Sequence, residues 1–363
     1  MKFKISTANL NRILAIVIKG AGNKHTLPIT KYFALSLSSN TLIVTATNGV
    51  NFISYIEPDV HGEDGYAVVA ADQLVQLVKR TTKPEIAFAS VKGHLEVKGN
   101  GKYSLPLYTF SEGESYPSYE FDEDAAPFEV NAQILKKALK VNESAIATNL
   151  IIPYLAGYNI GGQLITTDGL KMCVNESVFV DPPMLVSQQL ADLLQMLTAE
   201  KVTVQKDENK LLFTTDNIVI FGAELDGLKD YPDITGVLGF EYDNVVTVSK
   251  VEFTNALDRL KLFTDPNDNN SIIMTFAKKG LLIEDSKKSS QEVVAIQEGP
   301  EYAEFSVTVN IELLTDLIDV LVHPVVKIEF GENLPLKITE NDVTLTLGVI
   351  GDDEEEEDAG EEE

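Results

Sequence analysis

Apolar residues recur along this chain with two periods, and the order in which those periods alternate repeats three times. Six segments carry apolar positions spaced near 3.6: residues 7–18 (Leu10, Ile13, Leu14, Val17), 71–80, 131–142 (Ile134, Leu135, Ala138, Leu139), 187–197, 250–263 (Phe253, Leu257, Leu260) and 310–321. Each has one apolar stripe, which predicts an amphipathic helix lying on a sheet with its other face in water. Strand-type stretches run between them: 41–47, 50–56, 85–89, 163–167, 170–174, 201–205, 210–214, 218–221, 272–276 and 325–330. Asn48-Gly49 and Asp168-Gly169 separate paired strands and predict tight hairpin turns, because glycine supplies positive φ there.

The spacing of these features is regular. Asn48, Asp168 and Asp285 lie 120 and 117 residues apart, and Leu74, Leu190 and Leu313, in matching helices, lie 116 and 123 apart. Tyr116-Pro117 and Tyr231-Pro232, 115 apart, repeat as well. A period this long marks whole domains rather than solenoid units of 20 to 50 residues. Aperiodic stretches at 112–123 and 226–239 separate the copies. The expected plan is α+β: three tandem domains at 1–124, 125–243 and 244–350, each with two helices on antiparallel sheet, and a tail at 351–363.

Charge changes this picture in one place. The net charge of −27 argues against nucleic acid, but ten acidic residues fall in the last thirteen positions, leaving −17 for the rest. The terminal run has no means of burying a core and is expected to be a disordered acidic tail. Basic residues gather on helix faces: Arg12 and Lys19 on the first, Lys79 and Arg80 on the second, Lys136, Lys137 and Lys140 on the third, Arg259 and Lys261 on the fifth, with Lys24 in the loop after the first. One reading is a segregated positive surface for phosphates; the other is a solvated face complementing helix dipoles. Acidic and amide residues on the fourth and sixth helices restrict any DNA contact to loose, sequence-independent contact with phosphates.

Enzyme signatures are absent. His25, His61, His94 and His323 are scattered, no phosphate-cradling glycine loop joins a strand to a helix, and Cys173 lies in an apolar strand as a small buried hydrophobe. No catalytic residue, metal or cofactor is expected. The single cysteine, the lack of an apolar leader and the lack of a run of about 18 apolar residues predict a cytoplasmic protein without a membrane span.

Thr26-Leu27-Pro28-Ile29, Thr167-Asp168-Gly169-Leu170-Lys171-Met172 and Leu228-Lys229-Asp230-Tyr231-Pro232-Asp233 followed by Val237-Leu238, in this order on a threefold plan, resemble the bacterial DNA polymerase III β subunit, the sliding clamp. The resemblance covers residues 1–350. It implies a head-to-tail homodimer closing a ring of six domains around duplex DNA and tethering a replicative polymerase, with a clamp loader as a further partner. It implies ring closure through Tyr103 and Leu105 against Leu262 and Phe263, and adds Asn149 and Tyr154 to the DNA-facing residues. It also implies an apolar pocket for leucine- and phenylalanine-bearing peptides, at Leu155, Thr167, Gly169, Leu170, Lys171, Met172, Pro232, Val237, Asn310, Leu313, Pro335 and Ile350. There Leu155, Met172 and Val237 would form a floor and Lys171 a charged lip. Two positions depart from the family: Gly236 stands where it often has Arg, and Leu347-Gly348-Val349-Ile350 runs into the acidic tail instead of a Pro-Met-Arg-Leu-like end.

Helix geometry agrees with a dimer. Six helices side by side at about 9 Å make a circle roughly 17 Å across, too small for a duplex about 20 Å wide, whereas twelve leave roughly 24 Å clear. The alternative from another class is an acidic multidomain scaffold or virion-associated protein of the same fold that does not encircle DNA.

Overall fold

A computed structural model describes residues 1–22, 27–122, 124–149, 151–278, 280–299 and 304–351. Lys24, His25, Thr26 and residues 352–363 of the acidic tail lie outside the described residues. The helices are α1 (Thr7–Val17), α2 (Ala71–Lys79), α3 (Ala132–Asn142), α4 (Gln188–Leu194), the single turn α5 (Thr235–Leu238), α6 (Lys250–Leu260) and α7 (Ile311–Asp319). All six periodic segments therefore fold as expected, within a few residues of their predicted ends.

Each long helix springs directly from a strand, and the residue at the junction explains why it starts there. Ser187 Oγ accepts from the Leu190 amide at 3.2 Å, Asn131 Oδ1 from the Gln133 and Ile134 amides at 3.0 Å each, and Asn310 Oδ1 from the Glu312 and Leu313 amides at 2.8 and 3.1 Å. Such caps satisfy amides that the first turn leaves unpaired. The first residue of α1, α3 and α6 also donates to the connection that precedes a later strand: Thr7 to Pro84, Ala132 to Glu200 and Lys250 to Pro324. Leu10, Ile13, Leu14 and Val17 of α1 are buried, as are Leu135, Ala138 and Leu139 of α3 and Phe253, Leu257 and Leu260 of α6. Each is worth on the order of 1.5–3 kcal/mol of burial for a large side chain. One stripe residue departs: Ile134, in the first turn of α3 after the edge strand Pro127–Asn131, is 40% exposed.

The chain forms two compact units, Met1–Lys137 with Pro182–Leu228, and Ala138–Asp181 with Lys229–Glu363. In unit 1 an antiparallel sheet runs Pro127–Asn131, Lys201–Asp207, Lys210–Thr214, Ile218–Ala223, Phe52–Glu57, Thr41–Thr47, Tyr32–Ser38, Gly65–Ala70. Its middle pairing, Phe52 opposite Phe221, joins the first repeat to the second. In unit 2 the matching pairing sets Met172 opposite Thr346, joining the second repeat to the third. The contact-dense units thus cut through the second repeat, because main-chain pairing runs across the positions where the sequence changes copy.

The two hairpins differ from the expected two-residue turn. Thr47 pairs Phe52 and Thr167 pairs Met172, so four residues close each loop. Only the glycines take positive φ, +99° at Gly49 and +94° at Gly169. The physical reason is side-chain competition: Asn48 Oδ1 accepts from the amides of Val50 (3.0 Å) and Asn51 (2.8 Å), and Asp168 Oδ1 from those of Leu170 (2.9 Å) and Lys171 (2.8 Å). Side-chain acceptors of this kind build a wider turn than the backbone alone. Cys173 is fully buried, and burial pushes its thiol pKa up, as befits a core residue.

Candidate partner pocket and nucleic-acid interface

In unit 2 the hairpin around Gly169 gathers several of the expected pocket residues. Met172, Val174 and Ile234 form one buried apolar cluster, with Ile165, Val237 and Leu238 packed against it. α5 exists to bring Val237 and Leu238 there. Tyr231 anchors the segment before it by donating its hydroxyl to the Ile165 carbonyl at 3.3 Å, and burial pushes its phenol pKa up. Leu155 is buried on its own short turn, Pro153–Ala156, and lies outside this cluster.

Lys171 is not an exposed lip. Its side chain is only 7% exposed and its ammonium meets Asp316 Oδ2 of α7 at 2.6 Å. An ammonium taken out of water needs such a partner, and sequence reading saw Asp316 only as an acidic residue on a solvent face. The pair holds α7 beside the hairpin, with Leu313 one turn earlier on the same side of the helix. Lys171, Leu347 and Leu336 stand opposite one another on three neighbouring strands, and Pro335 directly precedes Leu336 at the start of the third. Leu170 is 64% exposed and Pro232 is exposed, and the Leu170 carbonyl accepts from Gly348 at 2.8 Å. Asn310 serves as the cap of α7 and Thr167 Oγ1 donates to the Lys171 carbonyl at 2.8 Å, so both are held by the fold itself. Ile350 bridges Thr308 and lines a separate cavity of about 440 Å³ with Thr275, Phe305 and Ser306.

Most of the basic helix residues are already paired. Arg12 lies 3.5 Å from Glu57 and over the Tyr55 ring. Lys140 meets Glu143 at 2.6 Å, Arg259 grips Glu292 with two bonds at 2.6 and 3.0 Å, and Lys261 lies 3.6 Å from Glu312. Lys136 turns back to donate to the Leu197 carbonyl at 2.6 Å, and Arg80 returns to Gln76 of its own helix. Lys19, Lys79 and Lys137 are exposed and make no ion pair among the described residues. Asn149 is exposed, and Tyr154 is half-buried with its ring 6.3 Å from that of Tyr231. Among the described residues no cluster of His, Cys, Asp and Glu could hold a metal, and no helix is long and apolar enough to cross a membrane.

At the expected closing surfaces, Tyr103 is 40% exposed on Lys102–Pro106, a strand paired on one side only. Leu105, two residues on, is buried and belongs to the fold. Leu262 (80%) and Phe263 (57%) project from the turn after α6. Val293, 64% exposed on the edge strand Gln291–Val294, which is paired on one side only, escaped sequence reading because that strand is short.

Comparison with known proteins bears on all these features. The family model of the DNA polymerase III beta subunit N-terminal domain matches residues 1–120, and that of its C-terminal domain matches residues 236–347. The beta sliding clamp of Lactococcus lactis is 20% identical over 361 residues, covering 92% of this chain and 93% of that protein. That of Staphylococcus epidermidis is 22% identical over 358 residues, covering 91% and 93%. The crystal structure of the beta subunit from DNA polymerase of Streptococcus pyogenes superposes with a TM-score of 0.87 at 16% identity, covering 96% of this chain and all of that one. With two models of one family covering more than half of its length, and clamp-type domains throughout, this chain belongs to the DNA polymerase III beta subunit family, the DNA sliding clamps.

Proposed function

We propose that this clamp works as a head-to-tail homodimer that closes around duplex DNA and holds a replicative polymerase, loaded by a clamp loader, through the apolar site beside Gly169. Its role is non-catalytic: it raises processivity by keeping the polymerase near its template. The observation that carries the reading is the exposed pair Leu170 and Pro232 beside the buried Met172–Ile234 cluster, an apolar patch next to the Gly169 hairpin. Such a site suits a short peptide bearing leucine and phenylalanine. Ring closure through Tyr103, Leu262 and Phe263 is supported by their exposure on an edge strand with one free side and on a projecting turn.

The ion pairs at Arg12, Lys140, Arg259 and Lys261 favour a grip by topology rather than by charge. A ring needs little affinity, so Lys19, Lys79 and Lys137 suffice to steer phosphates, together with Lys24 of the sequence-predicted set. The test is retention on nicked circular DNA compared with linear DNA after loading. Loss from linear ends with persistence on circles supports the reading. Equal loss from both at moderate salt would leave the non-encircling scaffold in its place.

A further inference from the structure

The amide bonds from Thr7, Ala132 and Lys250 to Pro84, Glu200 and Pro324 align the three repeats residue by residue. In each repeat the strand before the helix and a later hairpin make three neighbouring strands with one face on the core. In the first these are Lys2–Ser6, Glu85–Val91 and His94–Lys98, which bury Phe3, Phe88 and Val97. Strand alternation turns their neighbours to the other face. There Ala87 stands between Lys4 and Lys98, and Ala89 between Lys2 and Glu96. The same two central positions hold Thr203 and Gln205 in the second repeat, and Lys327 and Glu329 in the third.

Side-chain length then sets the relief of the face. In the third repeat the long residues are central, and Glu329 is held by Lys327 at 2.7 Å and Lys337 at 3.3 Å, so the middle is filled. In the first repeat two methyl groups are central and long side chains flank them, which leaves a trough. Its volume is about 440 Å³, within the range of small-molecule pockets. Alanines and lysine stems give it an apolar interior. Three lysines and two glutamates line it, a net positive spot on a chain of net charge −27. Lys2 meets Glu63 at 3.4 Å, and Glu96 is matched by Lys102 at 2.9 Å. Lys4 meets Glu85 at 3.0 Å, but both side chains are more than half exposed, so the pair is readily exchanged. Lys98 makes no ion pair among the described residues. Two strand spacings separate Lys4 from Lys98, about 10 Å, with only a methyl group between them. Both ammonium groups can therefore reach one anion above Ala87.

We propose that this trough is a ligand site for a small anion with a flat apolar body, an aryl or acyl carboxylate or phosphate. Lys4 and Lys98 hold its charged end over Ala87, and its body covers Ala89. The site is separate from the apolar patch beside Gly169 and does not depend on the peptide reading of that patch.

Calorimetry on the full chain with naphthoate, naphthyl phosphate and the neutral naphthalenemethanol tests this. Each anion should bind once per chain, and about tenfold or more tighter than the alcohol. A preference between the anions tells carboxylate from phosphate, and either preference upholds the site. Lys98→Gln, at an exposed side chain, should weaken both anions about fivefold and leave the alcohol as it was. Ala89→Gln installs the residue of the second repeat, fills the trough and should abolish binding of all three. No binding by the wild type overturns the proposal, as does equal affinity for the alcohol and the anions. Binding left unchanged by either variant lies elsewhere on the molecule and overturns it too. Should Ala89→Gln fail to fold, Lys98→Gln decides alone.

Discussion

The two matched hairpins share a skeleton and differ in what comes directly after it. In unit 1 the loop ends in Asn51, which faces Gly222. There the glycine lets the strand approach closely: a Cβ would stand 2.6 Å from Leu190 of α4 and 2.7 Å from Asn51 Oδ1, and both side-chain ends would have to shift to admit it. Asn51 is buried and its Oδ1 has no hydrogen-bond partner among the described residues. In unit 2 the same place holds Lys171, which faces Leu347 and reaches past it to Asp316. The threonine, the Asn or Asp, and the glycine fix the turn. The hairpin then meets the helix of the following repeat differently: in unit 1 by the close approach at Gly222 and a hydrogen bond from Asn48 Nδ2 to Gln189 Oε1 of α4 at 3.0 Å, in unit 2 by the Lys171–Asp316 ion pair. Asp316→Ala should show this most strongly. It leaves an ammonium 7% exposed without its partner, at a cost of about 2 kcal/mol once the 56% exposure of Asp316 is allowed for. Lys171→Met removes the charge together with its need for a partner and should cost less than about 1 kcal/mol. Urea midpoints at constant m-value separate the two; equal losses would mean the pair holds no buried charge.

The turn itself supplies the next contrast. Asn48→Ala and Asp168→Ala each remove an acceptor from two amides and should cost about 1–2 kcal/mol by the same path, whatever the charge of the residue removed. A much larger loss at Asp168 would show that its charge, and not its geometry, holds the turn. The anchoring tyrosines come lower. Tyr116→Phe and Tyr231→Phe each give up one hydroxyl bond to a carbonyl, at about 1 kcal/mol apiece. Thermal midpoints should fall nearly equally. A markedly smaller effect at Tyr231 would mean that its longer bond, 3.3 Å against 2.8 Å, contributes little, and would sharpen the difference between the two connectors.

Much of this was legible in the sequence because it follows from local rules. The six helices came from apolar spacing; the Ser and Asn caps that start several of them emerged only with the structure. The repeated Tyr-Pro marked the connectors, whose anchoring role needed only the question of why a tyrosine should recur. What stayed hidden was pairing between distant residues. Nothing in a lysine beside Met172 says that it is buried, and nothing in Asp316 says that it is the reason. Lys136, Arg12 and Arg259 read as free charge on helix faces because their partners, Leu197, Glu57 and Glu292, lie 61, 45 and 33 positions away. The width of the hairpin loops was missed for a related cause: Asn-Gly and Asp-Gly favour a two-residue turn on backbone grounds, and the side-chain acceptor overrides it. The ring contacts of Tyr119 and Phe121 with Phe221 were hidden too, because both residues sit in a stretch without period.

The third turn tests the comparison from outside. Asp285 stands where Asn48 and Asp168 stand in the sequence, yet it caps a longer loop and is almost fully buried. Burial alone would push its carboxyl up, but the Ser290 amide, the Ser289 hydroxyl at 3.0 Å and the Lys287 amide at 3.2 Å all donate to it and hold its pKa below the usual range. A carboxyl held below its unfolded value stabilises the fold above that value and loses the contribution as pH falls through the folded one. With an unfolded pKa of about 3.9, the effect is confined to roughly pH 4 and below and is unchanged by pH near neutrality. Asp285→Asn should therefore flatten the acid limb of stability against pH while leaving its slope near pH 7 as it was. Asn48 already shows that a neutral amide supports a turn of this kind. If Asp285→Asn keeps the full acid slope of the wild type, the carboxylate contributes nothing through its charge, and the third turn is a longer version of the other two.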